Sequence, residues 1–271
     1  MRNRLLVSII LVPIGLLAIY AGGWIYASII IAFLVLAAWE YTQLFKASGY
    51  QPAGFLIVGG VLLLGVSRQL HELSSAPLLL SLLILASMAY HLFAYERGRD
   101  LAPVDFGVTL GGLFYIGFIG AYMISLRSLP DGRWWVLTVL PAVWLADSGA
   151  YLVGSRFGRH KLAPRLSPKK SWEGYFGGIM LGTVFTALIT AAWQIGAGPD
   201  SSITIGRGVI VGLVMSILPT LGDLGESMVK RLAQAKDSGS LLPGHGGAFD
   251  RIDSWLWAGV IGYYLVSLLW V

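Results

Sequence analysis

"WWVLTVLPAVWLADSGAYLVGSRFGRHKLAPRLSPKKSWEG", residues 134–174, decides the fold class. Positions 134–154 hold one formal charge, Asp147, whereas positions 156–170 hold six basic residues: Arg156, Arg159, Lys161, Arg165, Lys169 and Lys170. A predominantly apolar run of roughly 20 residues is long enough to cross a bilayer as a helix. Lys and Arg collect beyond such helices on the cytoplasmic side.

The same alternation runs through the chain. Apolar windows cover about 5–21, 24–39, 54–67, 77–94, 107–126, 134–154, 174–194, 208–224 and 255–270. If all nine cross, the N-terminus and the even-numbered loops share one side. That side carries 15 of the 19 basic residues, and the other carries Arg68, Arg127, Arg133 and Arg207. The excess marks the rich side as cytoplasmic and sends the C-terminus outside. The expected fold is therefore all-α, a polytopic integral membrane protein with about nine transmembrane helices. Composition agrees: 12% of the residues are charged, against about 25% in soluble domains. Thirty-five glycines suit close helix approach in lipid. With no cysteine, disulfides, thiolate catalysis and Cys-ligated zinc are excluded. The pI near 9.5 does not point to nucleic acid, because the positive charge lies at span ends on one side. The first window reads as a retained helix in preference to a cleaved signal peptide.

Polarity is unevenly spread. Residues 1–130 form about five spans with short, sparsely charged loops, whereas 131–271 contain the long polar stretches 155–173 and 225–254. Asp147 lies inside the sixth window, where a carboxylate costs about 2.5–3.5 kcal/mol on insertion scales and marks a functional candidate. The basic cluster after it is punctuated by Gly158, Pro164 and Pro168, which favours a shaped loop. Such a loop suits a polyphosphate, and equally an anionic lipid surface. Further on, Asp223, Ser227 and Lys230 fall at i, i+4 and i+7 on one helical face, a stripe better suited to a wet cavity than to lipid. Next comes "PGHGGAFDRIDS", 243–254, whose glycines let backbone N–H groups approach an anion. Asp250 and Asp253 open the last helix, where they are placed either to hold Mg²⁺ or to cap the helix. Glu40 and Asp105 read as boundary residues of their spans, and His71, His91 and His160 show no metal-ligand spacing.

Two stretches carry a family resemblance. Ser227, Lys230, Arg231, Lys236, Asp237, Pro243, His245, Gly246, Gly247, Asp250, Arg251 and Asp253 resemble the signature of the phosphatidate cytidylyltransferases, the CDP-diacylglycerol synthases. Upstream, Asp147, Gly149, Tyr151, Gly158, Lys161, Leu162, Pro164, Ser167, Pro168, Lys169, Ser171, Glu173 and Gly174 are similar to a second region of that family. Ala248 departs from the pattern, which usually has a bulkier apolar residue there.

The resemblance implies that CTP and phosphatidate give CDP-diacylglycerol and pyrophosphate. It also implies Mg²⁺ with a monovalent cation such as K⁺ beside it, a bacterial inner membrane and a homodimer. Asp223 and Asp250 are the implied metal residues, with Ser227, Lys230, His245 and Arg251 completing the catalytic set. Expected substrate contacts are Asp147, Lys161, Ser167, Lys169, Lys170, Glu173, Lys236, Asp237, Gly246, Gly247 and Asp253. Of these, Lys161, Lys169 and Lys170 suit the departing pyrophosphate, and Lys230 or Arg251 the lipid phosphate. Two rival classes are a CTP-dependent polyprenol or phytol kinase, and an ion or solute transporter. A transporter would gather its polar groups at the midplane; here they gather at one face.

Overall fold

A computed structural model describes residues 2–239 and 246–270, with side chains described from residue 12 onward. Among the described residues nine helices follow one another, each on one of the nine apolar windows. They are α1 (Arg2–Ala21), α2 (Gly23–Ala47), α3 (Gly54–His71), α4 (Ala76–Glu96), α5 (Ala102–Ser128), α6 (Gly132–Phe157), α7 (Trp172–Ala197), α8 (Ile205–Leu232) and α9 (Phe249–Leu269). Among the described residues, the eight helices α2–α9 are long and apolar enough to cross a membrane; the apolar part of α1 so described, Val12–Ala21, is shorter. The only strands among these residues are β1 (Lys161–Ala163) and β2 (Ser167–Ser171), paired antiparallel in the stretch expected to be a loop.

Several helices outrun their apolar windows. The second window ends at 39, but α2 continues to Ala47 because Glu40, Tyr41, Thr42 and Leu44 are buried by tertiary packing. Gly49 then ends the helix at φ 87°, a conformation that costs a residue with a Cβ. Its N–H donates to Lys46 O at 3.0 Å and the Tyr50 N–H to Phe45 O at 3.1 Å, with the Phe45 and Tyr50 rings 5.8 Å apart. Together these form a Schellman cap with its apolar clasp. The polar stretch 225–254 is shorter as a loop than expected, since α8 runs to Leu232 and α9 begins at Phe249. Within α8, Pro219 separates the runs Ile205–Ile217 and Thr220–Leu232, as a residue lacking an N–H must.

The chain forms two compact units: Met1–Ser125 with Val229–Ile252, and Leu126–Met228 with Asp253–Val271. In the first, Leu64, Leu83 and Leu113 make an apolar cluster. Polar residues tie the helix ends there. Asp105 accepts from Arg99 Nε and from the Gln51 N–H, both at 2.8 Å.

In the second unit α6 and α7 meet along small residues. A Cβ added at Gly174 would lie 2.8 Å from Ala150 O, and one at Gly178 2.7 Å from Ala146 O. Helices lacking side chains at these points approach closely, which is how membrane helices gain packing without a hydrophobic driving force. α7 and α8 meet the same way, Gly212 lying against the Thr183 backbone. Trp135, fully buried, stacks on Trp270 with centroids 5.1 Å apart.

Asp131, between α5 and α6, accepts from Ser201 Oγ (2.8 Å), Ser202 N (2.6 Å) and Ser202 Oγ (2.9 Å). Partial burial pushes its carboxyl up, but these hydrogen bonds and Arg133 outweigh burial, so the group is held below its ordinary range. A depressed pKa contributes stability above the unfolded-state value and loses it as pH falls through the folded one. Asp131→Ala should therefore lower the melting temperature at neutral pH, and the gap to the wild type should shrink as pH falls below about 4. A gap independent of pH would contradict this.

Candidate active site

Five ionisable residues from four elements of the second unit share one electrostatic neighbourhood. Asp147 comes from α6, Lys170 from β2, Asp223 and Glu226 from α8, and Asp253 from the first turns of α9. Lys170 Nζ forms an ion pair with Asp223 Oδ2. One carboxylate oxygen each from Asp223, Glu226 and Asp253 lies within 4.8 Å of the others. Asp147 lies at the protein surface and interacts electrostatically with Lys170 and Asp223, and Asp253 does so with Asp223, Asp147 and Lys170.

The backbone explains the clustering. Glu226 follows Asp223 by three residues on a helix, so both face the same way. Glycine at 222 brings α8 against α9, because a Cβ there would sit 2.5 Å from Asp253 O. Four carboxylates thus face one ammonium, and Glu226 is fully buried. Hard divalent ions take oxygen ligands, and one carboxylate oxygen each from Asp223, Glu226 and Asp253 is close enough to share one. The donor set fits Mg²⁺.

The hairpin supplies the positive side. Lys161, Arg165 and Lys169 are exposed, as are Arg156 and Arg159 before it, while Lys170 is half-buried beside Asp223. Ser167 opens β2, paired with Ala163. Glu173, expected to touch substrate, closes this hairpin. Its carboxylate accepts from the Arg159 N–H (3.0 Å), the His160 N–H (3.2 Å) and His160 Nδ1 (2.5 Å). Ser171 caps α7, its Oγ accepting the Gly174 N–H at 3.2 Å. A capped helix start and a carboxylate staple therefore hold a short basic ribbon whose sequence has little strand propensity.

The first unit holds a second constellation. Lys230 Nζ meets Asp250 Oδ1 at 2.7 Å. Asp250 Oδ2 accepts from Ser238 N (2.8 Å), Ser238 Oγ (2.9 Å) and Gly247 N (2.8 Å). A Cβ on Gly246, at φ 79°, would lie 2.6 Å from Asp250 Oδ2; the glycine lets the turn close over the carboxylate. Arg251, Lys236 and Asp237 are exposed; Ser227, which belongs to the second unit, is half-buried one turn after Asp223. His245 lies outside the described residues.

Glu40 was expected at a boundary, and the structure corrects that reading. It sits inside α2, is 1% exposed, and accepts from Ser238 Oγ, Ala248 N and Phe249 N. Its signal in the sequence is an acid amid "LAAWEY", 36–41.

Comparison with known proteins follows the same lines. The phosphatidate cytidylyltransferase of Synechocystis sp. is 32% identical over 296 residues, 98% of this chain and 97% of that protein. The phosphatidate cytidylyltransferase of Bacillus subtilis is 31% identical over 284 residues, 99% and 98% of the two chains. That of Brucella suis is 34% identical over 272 residues, 97% and 92%. A model of the cytidylyltransferase family matches residues 2–269. The match takes in the first helices as well as both polar constellations, so the whole described membrane scaffold is shared: this chain belongs to the cytidylyltransferase family.

Proposed function

We infer that this chain is a phosphatidate cytidylyltransferase, converting CTP and phosphatidate to CDP-diacylglycerol and pyrophosphate. Near-full-length similarity to proteins of that name carries the reading, and the juxtaposition of a basic ribbon with a carboxylate cluster supports it.

The chemistry is undemanding in acid–base terms. The second pKa of a phosphomonoester is about 6, so phosphatidate is largely dianionic at neutral pH. One of its oxygens attacks the α-phosphorus of CTP, a P–O–P bond forms, and the bond from that phosphorus to the α,β-bridging oxygen breaks. Pyrophosphate leaves with the bonding pair. No strong base is required; the difficulty is bringing polyanions together, which calls for positioning and charge neutralisation. Lys161, Lys169 and Lys170 bind the β- and γ-phosphates and hold the leaving pyrophosphate. Lys230 or Arg251 binds the lipid phosphate, with Ser227 donating a hydrogen bond nearby. Asp223 and Asp250 are the proposed metal carboxylates, and Glu226 and Asp253 join Asp223. Mg²⁺ held by such carboxylates would supply Lewis-acid charge neutralisation at phosphate oxygens. Before polyphosphate binds, the Lys170–Asp223 and Lys230–Asp250 pairs keep these carboxylates neutralised.

The proposal extends to a monovalent cation such as K⁺, a homodimer, and a bacterial inner membrane with the polar loops and N-terminus cytoplasmic. In it, residues 131–271 carry the reaction and 1–130 supply membrane helices. The test is pyrophosphate release by the purified chain from CTP. Release that needs both phosphatidate and Mg²⁺ and stops with chelator is expected. Release of CDP instead would overturn the reaction.

A further inference from the structure

The Glu40 carboxylate is bound by a segment about 200 positions away in sequence. Oε2 accepts from Ser238 Oγ at 2.8 Å and from the Phe249 N–H at 2.9 Å, and Oε1 accepts from the Ala248 N–H at 3.0 Å. The chain opposite is glycine at both closest approaches. A Cβ on Gly239 would lie 2.5 Å from Oε1, and one on Gly247 would collide with Oε2. Two glycines and three donors make a socket fitted to one carboxylate.

The socket stands at a helix start, where free N–H groups and the helix dipole both favour negative charge. It also leads directly to Asp250. Ser238 Oγ, 2.8 Å from Glu40, is 2.9 Å from Asp250 Oδ2 and accepts the Asp250 N–H at 3.2 Å. One hydroxyl proton is shared between two carboxylates, which links the position of each to Ser238. Gly247 completes the link, its N–H donating to Asp250 while its missing side chain admits Glu40. Tyr41, the next residue, packs edge-on against Phe249 with centroids 6.1 Å apart.

We propose that Glu40 is a positioning residue for cytidylyl transfer: through Ser238 and the Ala248 and Phe249 N–H groups it fixes the Gly246–Gly247 turn and the orientation of Asp250 toward Lys230. The inference rests on the reaction proposed above. It brings the second membrane helix, which carries none of the signature residues, into the catalytic apparatus.

Glu40→Gln keeps the volume but replaces one acceptor oxygen with an NH₂ group, which faces one or two of the three donors and cannot accept from them. The turn should shift, and misplacement of about 1 Å costs on the order of 100-fold in rate. The expected result is a kcat about 100-fold lower with KM for CTP changed less than about threefold, and partial recovery in Glu40→Asp. A purely structural role would lower the yield of folded protein and leave the kcat of the folded fraction unchanged. Ser238→Ala is the second probe, should Glu40→Gln fail to fold. It removes one hydroxyl and should lower kcat about tenfold at unchanged KM. Where both fold, the double variant should be no slower than Glu40→Gln alone, since groups acting as one unit are non-additive. Wild-type kcat in Glu40→Gln, or in Ser238→Ala where the first does not fold, would overturn the inference, as would multiplying losses in the double variant. A wild-type chain that releases no pyrophosphate from CTP and phosphatidate would overturn the reaction itself, and this inference with it.

Discussion

Asp223→Asn is expected to slow pyrophosphate release from CTP and phosphatidate by about a thousandfold, the scale on which removal of a single electrostatic group in an active site is felt. Asp223 pairs with Lys170 and stands with Glu226 and Asp253. The asparagine is isosteric and half-buried on a helix, so the fold should survive. Two effects are lost together. The carboxylate cluster loses a charge and a hard oxygen ligand, and Lys170 loses the group that orients it toward a polyphosphate. The half-saturating Mg²⁺ concentration should rise along with the fall in kcat. Rates within about threefold of wild type, with an unchanged Mg²⁺ requirement, would remove Asp223 from the chemistry.

Gly178→Val should have the largest effect on stability, destabilising the fold by about 3 kcal/mol, the upper part of the overpacking range. The first added carbon would lie 2.7 Å from Ala146 O and 3.0 Å from Ala150 Cβ. Neither is the movable tip of a long side chain, so α6 and α7 must separate. Separation would also carry Asp147, next to Ala146, away from Lys170. The control is Gly59, in α3, where an added Cβ meets nothing within 4 Å. Gly59→Ala should leave stability unchanged or raise it by up to about 1 kcal/mol through helix propensity. Thermal unfolding in detergent compares them; equal melting temperatures for Gly178→Val and wild type would contradict the close-packed seam.

Much of this architecture can be read in the chain because lipid makes hydropathy decisive. A window such as 134–154 leaves few alternatives to a helix, and the aspartates of "FDRIDS", 249–254, open α9 as a helix start of that composition should. Asp223, Glu226 and Lys230 follow from helical spacing once α8 is recognised. What escapes the sequence is long-range. Glu40 looks like the polar end of a span because its partners, Ser238, Ala248 and Phe249, are some 200 positions off, and burial by those partners is what carries α2 on to Ala47. The hairpin at 161–171 also escapes. It contains no β-branched residue and is held by Glu173 gripping Arg159 and His160 from outside the strands. Glu173 itself reads as a substrate contact when only its company is seen, and as a brace once its acceptor geometry is known.

The central claim is that the phosphate of phosphatidate attacks the α-phosphorus of CTP. Parallel reactions of the purified chain with CTP labelled at the α- or at the γ-phosphorus test it directly. Label from the α position should appear in the lipid fraction as CDP-diacylglycerol, and label from the γ position should appear only in pyrophosphate. Transfer of the γ label to lipid, with the α label left in CDP, would contradict the account.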